Sequence, residues 1–144
     1  MAARTANARW EGNISEGGGR MSLGSGAFEG AYSFQSRFGE GENGTNPEEL
    51  IAAAHAGCFT MALTLVLEQA GTPADSLQTQ GRATLRNLDG VPTITKMSLS
   101  TTGKVPGIDG GAFQEAAEKA KDTCVVSRAL AGVEEMTVEA TLDG

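Results

Sequence analysis

The stretch Asn46-Pro47-Glu48-Glu49-Leu50-Ile51-Ala52-Ala53-Ala54-His55-Ala56-Gly57-Cys58-Phe59-Thr60-Met61-Ala62-Leu63-Thr64-Leu65-Val66-Leu67-Glu68-Gln69-Ala70-Gly71 decides the fold. It reads as one long helix. Asn46 stands where an N-cap is needed. Pro47 suits the first helical position, where its missing N–H would be unpaired anyway. Glu49 completes an Asn-x-x-Glu capping box, and both glutamates lie at the positive end of the helix dipole. Gly71 supplies the stop, since it can take the left-handed conformation just past the helix end.

No formally charged residue stands between Leu50 and Leu67, and the strongly polar side chains there are His55, Thr60 and Thr64. A helix apolar on nearly all sides is expected to be buried on nearly all sides. The segment approaches the length of a membrane span. The small-residue run Ala52-Ala53-Ala54, the His, Gly57 and the lack of flanking basic residues argue against that, and no membrane association is expected. The expected arrangement is a central helix wrapped by sheet or by a second subunit, with Cys58 in its middle.

At 144 residues the chain is long enough for one domain, 1–144, with one core. A net charge of −7 with no visible basic patch argues against nucleic acid and against anionic membrane surfaces. Met1 to Trp10 holds arginines but no apolar run of the secretory kind. That points to the cytoplasm, where structural disulfides are rare. Cys58 and Cys124 show no Cys-x-x-Cys spacing and share the chain with a single histidine, so no metal site is expected.

Outward from the helix, alternation predicts a strand over 4–14 (Ala6, Ala8, Trp10). A turn at Glu16-Gly17-Gly18-Gly19 leads to a second strand through Met21 and Leu23, and Ala31 to Phe34 reads as a third. Arg37-Phe38 then falls at a strand end, and Gly39 to Thr45 is a loop. Beyond Gly71, residues 77–88 and 93–103 read as a hairpin around Asp89-Gly90. Asp109 is placed to cap a helix to about Lys121, with Phe113, Ala116, Ala117 and Ala120 on its inner face. Val125 to Leu130 reads as a further short helix. Met136, Val138, Ala140 and Leu142 alternate as the inward face of a last strand. Strands, long helix, strands, helices, strand is an α+β order with largely antiparallel sheets around a long central helix. The first strands cannot cover that helix alone, so an intertwined homodimer is expected.

Cys58 is mid-helix, where burial raises a thiol's pKa, so a reactive thiolate there needs a nearby cation. His55 lies on the same helical face, and Arg37 remains protonated even when partly buried. A Cys58–His55 pair would suit a cysteine hydrolase. Otherwise His55 is a polar filler bonding neighbouring backbone, and Arg37 a surface charge. Cys124 falls between two helices and can stand at an N-cap, where the dipole favours a thiolate. The alternative is a small buried hydrophobe.

Asn46-Pro47-Glu48-Glu49-Leu50, Ala54-His55-Ala56-Gly57-Cys58-Phe59 and Cys124-Val125-Val126-Ser127 closely resemble the OsmC/Ohr family of organic hydroperoxide reductases. Trp10-Glu11-Gly12, Arg37-Phe38, Gly44-Thr45 and Val105-Pro106-Gly107-Ile108-Asp109 are similar to its OsmC (osmotically inducible) branch, and the likeness covers essentially the whole chain. One departure is Val125, where the family commonly has proline. The resemblance implies an α+β homodimer with two interface sites, no metal and no bound organic cofactor. It makes Cys58 the peroxidatic cysteine and Cys124 the resolving one. Arg37 becomes the arginine that holds the thiolate, and Glu48 the acid that orients it. It also implies an organic hydroperoxide substrate and a dithiol reductant such as a lipoylated protein. An apolar pocket of Phe59, Met61 and Leu65 is then expected to favour alkyl or fatty-acyl hydroperoxides. Two other classes stay open from the residues alone: the Cys–His hydrolase, and a non-catalytic module binding a small ligand.

Overall fold

The computed structural model describes residues 2–39 and 43–143. Residues Glu40-Gly41-Glu42 of the expected loop lie outside the described residues. The chain forms two compact units, Met1–Leu50 and Ile51–Gly144.

In the N-terminal unit, β1 (Ala6–Glu11), β2 (Gly18–Leu23) and β3 (Glu29–Tyr32) form an antiparallel meander in that order. Gly19 in the middle strand pairs with Trp10 on one side and Tyr32 on the other. The two rings meet across it edge to face, with centroids 5.6 Å apart. A Cβ on Gly19 would lie 2.6 Å from Tyr32 Cε1 and 2.9 Å from Trp10 Cε3, so glycine is what lets the aromatics close. β1 is shorter than the alternation suggests, because Gly12 turns the chain at φ +90°.

The expected third strand stops at Tyr32. Ser33 caps a short helix, α1 (Phe34–Phe38), in a reciprocal Ser33–Ser36 capping box. Ser36 is buried and its hydroxyl also donates to the Thr45 carbonyl at 2.8 Å. Arg37 and Phe38 are therefore helical, which corrects the strand-end reading. The local cap outweighs the β-like alternation of Tyr32 and Phe34.

Helix α2 (Pro47–Gln69) has the expected ends. The Glu49 N–H donates to Asn46 Oδ1 at 2.7 Å, while the Glu49 carboxylate takes the Thr45 hydroxyl at 2.8 Å instead of folding back on Asn46. At the other end Gly71 sits at φ +80°. Its N–H bonds Glu68 O at 3.0 Å and the Thr72 N–H bonds Leu67 O at 2.9 Å, a Schellman closure.

The C-terminal unit packs α2 from Ile51 onward against a second sheet of β4 (Ser76–Leu88), β5 (Val91–Lys104) and β6 (Glu135–Leu142). β4 and β5 are an antiparallel hairpin. Asp89 at φ +52° and Gly90 at φ +86° make its two-residue turn. β6 pairs with β5 in parallel, which departs from an all-antiparallel sheet. The cause is the crossover between them, α3 (Gly110–Thr123) and α4 (Val125–Ala129), which carries the chain back to the starting edge. Asp109 Oδ1 caps α3 by accepting the Ala112 N–H at 2.8 Å.

The core gathers Phe59, Leu63 and Leu67 of α2 with Leu99, Val105 and Val138 of the sheet region and Phe113, Ala117, Ala120 and Cys124. Each large apolar side chain buried there contributes about 1.5–3 kcal/mol. A hydroxyl ladder also crosses the layer: Thr60 meets Thr79 at 2.8 Å, and Thr79 meets Thr101 at 3.0 Å. It absorbs the Thr60 hydroxyl of an otherwise apolar helix. Only the stripe His55, Phe59, Leu63, Leu67 is fully buried, and Met61 and Leu65 remain 77% and 53% exposed. The expectation of burial on nearly all sides therefore fails within a single chain. Among the described residues α2 is the one helix long and apolar enough to cross a membrane, and its buried stripe makes it the core helix of this unit.

Candidate active site

Cys58 comes from the middle of α2, on the half-buried edge of its core stripe. Cys124 is buried at the junction of two helices and serves both. Its N–H donates to Ala120 O at 2.9 Å, closing α3, while its sulfur accepts the Ser127 N–H at 3.5 Å, opening α4. Its backbone (φ −61°, ψ 133°) is that of an N-cap, as the spacing suggested. Helix α4 begins at Val125 without help from a proline.

Both cysteines are reduced, and Cys58 packs against the core cluster that contains Cys124, close enough for each thiol to shift the other's titration. Their pKa values part in opposite directions. Burial pushes the Cys58 thiol up; the neighbouring Cys124 adds to the rise, and the N–H groups of Val126 and Val125 do not cancel it. Burial also works against a charge on Cys124, but the Ser127 N–H, the Cys58 thiol, the Ser127 hydroxyl and the Val126 N–H outweigh it and bring its pKa below the ordinary value. Within this unit burial disfavours a Cys58 thiolate, and a nearby cation would be needed to favour it.

His55 is not that cation. Burial lowers its pKa and its Nε2 faces Ser127 Oγ at 2.8 Å. It is neither a partner shown for Cys58 nor a filler on local backbone. It bonds a side chain far along the sequence. Ser127 was not singled out from the sequence; its place in Cys124-Val125-Val126-Ser127, at the N3 position after the cap, was the available signal.

In the N-terminal unit, Arg37 and Glu48 form a fork. Arg37 Nη2 and Nε lie 2.8 and 3.0 Å from Glu48 Oε1, and Nε is 3.3 Å from Oε2. The guanidinium also stacks over the Phe38 ring, 5.0 Å from its centroid. Glu48 is the more buried partner, at 13% against 40% exposure for Arg37, so the acid is fixed and the cation presented. The expected pocket of Phe59, Met61 and Leu65 is not gathered in one chain. Phe59 is fully buried core, whereas Met61 and Leu65 stand on the open side of α2. A hollow of about 650 Å³ exists elsewhere on the C-terminal unit, lined by residues including Asp75, Lys104 and Ile108.

A family model described as OsmC-like protein matches residues 39–139. The chain belongs to the OsmC family. Among curated OsmC relatives, Peroxiredoxin OsmC of Escherichia coli (strain K12) is 46% identical over 128 residues, covering 88% of this chain and 89% of that protein. The Organic hydroperoxide resistance protein of Xanthomonas axonopodis pv. citri is 32% identical and covers 69% of each chain. The OsmC fold is also seen in a solved OsmC-like protein of Vibrio cholerae, with a TM-score of 0.75 at 16% identity, covering 97% of this chain and 99% of that one. The organic hydroperoxide resistance protein OhrB of Bacillus subtilis aligns with a TM-score of 0.69 at 25% identity, over 96% and 98%.

Proposed function

We propose that this chain is a cysteine-based peroxidase that reduces organic hydroperoxides to alcohols in defence against oxidative and osmotic stress. The observation that carries the reading is the pair of reduced, neighbouring thiols, one on the core helix and one capping α4. The similarity to Peroxiredoxin OsmC of Escherichia coli and to the Organic hydroperoxide resistance protein of Xanthomonas axonopodis pv. citri supports it. In this reading the Cys58 thiolate attacks one peroxide oxygen, the O–O bond breaks, and the alkoxide leaves to take up a proton. The Arg37–Glu48 fork supplies the cation that Cys58 lacks and stabilises charge developing on oxygen. The resulting Cys58 sulfenic acid condenses with Cys124 to a disulfide. A dithiol, such as that of a lipoylated protein, then reduces the disulfide by exchange.

The chain acts as a single cytoplasmic domain that pairs with a second copy. The open apolar side of α2, with Met61 and Leu65, is the surface a second copy would bury. The same surface would complete an apolar wall for alkyl or fatty-acyl hydroperoxides.

Intact mass after one equivalent of cumene hydroperoxide, read without reductant, tests the reading. Loss of both thiols with the mass decrease of one disulfide is expected. An unchanged mass overturns it and leaves a ligand-binding module as the better account. A Cys58–His55 hydrolase would keep turning over after Cys124→Ser, whereas the peroxidase would lose its disulfide.

A further inference from the structure

One buried polar contact has no part in the chemistry above. His55 is fully buried, its Nε2 lies 2.8 Å from Ser127 Oγ, and its Nδ1 has no hydrogen-bond partner among the described residues. The ring is held neutral by burial, so it carries one N–H. Placing that proton on Nδ1 would strand a donor in the core, at a cost comparable to a lost hydrogen bond; a bare lone pair there costs less. The proton therefore belongs on Nε2, which donates to Ser127 Oγ. With its oxygen engaged by the ring, the Ser127 hydroxyl directs its own proton elsewhere. The neighbouring Cys124 sulfur already receives the Ser127 N–H at 3.5 Å, and the Ser127 hydroxyl also favours its charged form. His55 and Ser127 are separated by 72 positions in sequence, so this contact ties α2, which carries Cys58, to α4, which aims Cys124.

We propose that His55 and Ser127 form a relay that governs the resolving step: the ring fixes the Ser127 hydroxyl so that it donates to the Cys124 sulfur and holds it poised toward Cys58. The inference rests on the peroxidase reading, in which Cys124 resolves. In that step the Cys124 thiolate attacks the sulfenic sulfur of Cys58 and an S–S bond forms. The S–O bond breaks and its electron pair leaves as hydroxide. The hydroxide takes the proton that Cys124 released and departs as water. No further oxidant is needed, because the hydroperoxide was consumed in making the sulfenic acid. Ser127 touches a reacting atom. His55 acts through Ser127 and is a positioning residue.

The test is single-turnover oxidation by cumene hydroperoxide, quenched at intervals. Cys58 sulfenic acid is trapped with dimedone, and disulfide closure is read by alkylation and intact mass. In Ser127→Ala and His55→Leu the Cys58 sulfenic acid, once formed, should close to the disulfide roughly 10-fold to 100-fold more slowly than in the parent, the worth of a hydrogen bond to a charged group. With excess peroxide they should accumulate Cys58 sulfinic acid. His55→Gln, whose terminal amide can place a donor near the Nε2 position, should recover most of the closure rate. Parental closure in Ser127→Ala overturns the relay, and so does His55→Gln closing as slowly as His55→Leu, since that outcome makes the ring mere packing. Failure of the parent chain to give either a Cys58 sulfenic adduct or the disulfide overturns the peroxidase reading itself, a result distinguishable from parental oxidation with unaltered closure in the variants.

Discussion

Replacing Gly81 with alanine should loosen the layer that holds Cys58. Gly81 lies on β4 where α2 crosses it. A Cβ there would sit 2.5 Å from the Ala52 carbonyl oxygen and 3.3 Å from Ala56 Cβ. The first distance is about 0.9 Å inside ordinary van der Waals contact, and the obstacle is helix backbone, which has no rotamer to change. Overpacking of this kind costs about 1–3 kcal/mol. The reduced freedom of the unfolded chain returns about 0.4–1 kcal/mol. The net loss is then about 1–2 kcal/mol, or a fall in Tm of roughly 3–8 °C for a chain of this size. Thermal unfolding followed by far-UV circular dichroism, at matched protein concentration, measures it. Because Ala52 and Cys58 share α2, the lifted helix should also slow disulfide closure in the same preparation. A Tm equal to or above that of the parent would refute the reasoning, since β4 and α2 could not then approach as closely as described.

Three further outcomes are expected. Arg37→Met should shift alkylation of Cys58 to higher pH and slow sulfenic acid formation by roughly 10²-fold or more, as losing a charge-stabilising donor does; an unchanged alkylation profile would remove Arg37 from the site. Met61→Asp, on the open side of α2, should dissociate a dimer to a species near the chain mass of 14.8 kDa in light scattering, and a parent already at that mass would refute the paired arrangement. The lowered pKa of His55 means that, below the ordinary value of 6.5, the unfolded chain binds a proton that the folded chain does not. Stability should therefore fall as pH drops below about 6.5, and His55→Gln should flatten that part of a urea-midpoint curve; parallel curves for the two proteins would contradict it.

Residues whose partners are near in sequence announced themselves. Asn46-Pro47 and Gly71 bounded α2, Asp89-Gly90 made its hairpin, and Asp109 capped α3, because each acts on backbone within a few positions. Cys124 as a cap was legible for the same reason. Helix α1 was missed because its signal, Ser33 with Ser36, uses serine where a capping box usually shows glutamate, while Tyr32 and Phe34 imitate a strand. The parallel pairing of β6 was hidden, since alternation names the buried face of a strand but carries no direction. The His55–Ser127 contact was out of sight for a different reason. Its members share no periodicity and meet only after the crossover through α3 has closed. The open side of α2 was likewise invisible, because an all-apolar helix does not say which of its sides its own chain will cover.

The double duty of Cys124 has a consequence for how the molecule behaves through a cycle. Helix α4 spans only Val125–Ala129, too short to persist on intrinsic propensity. Val125, 70% exposed, brings none of the stiffness a proline ring would. The first turn is thus wound on a sulfur lone pair. A disulfide at that atom is neutral and a poorer acceptor, so each oxidation would unclasp the turn and each reduction would refasten it. Amide exchange at Ser127 should then quicken in the oxidised protein and slow in the reduced one. In the proposed cycle the reductant would thus meet a slack turn in the oxidised protein and leave a taut one in the reduced protein.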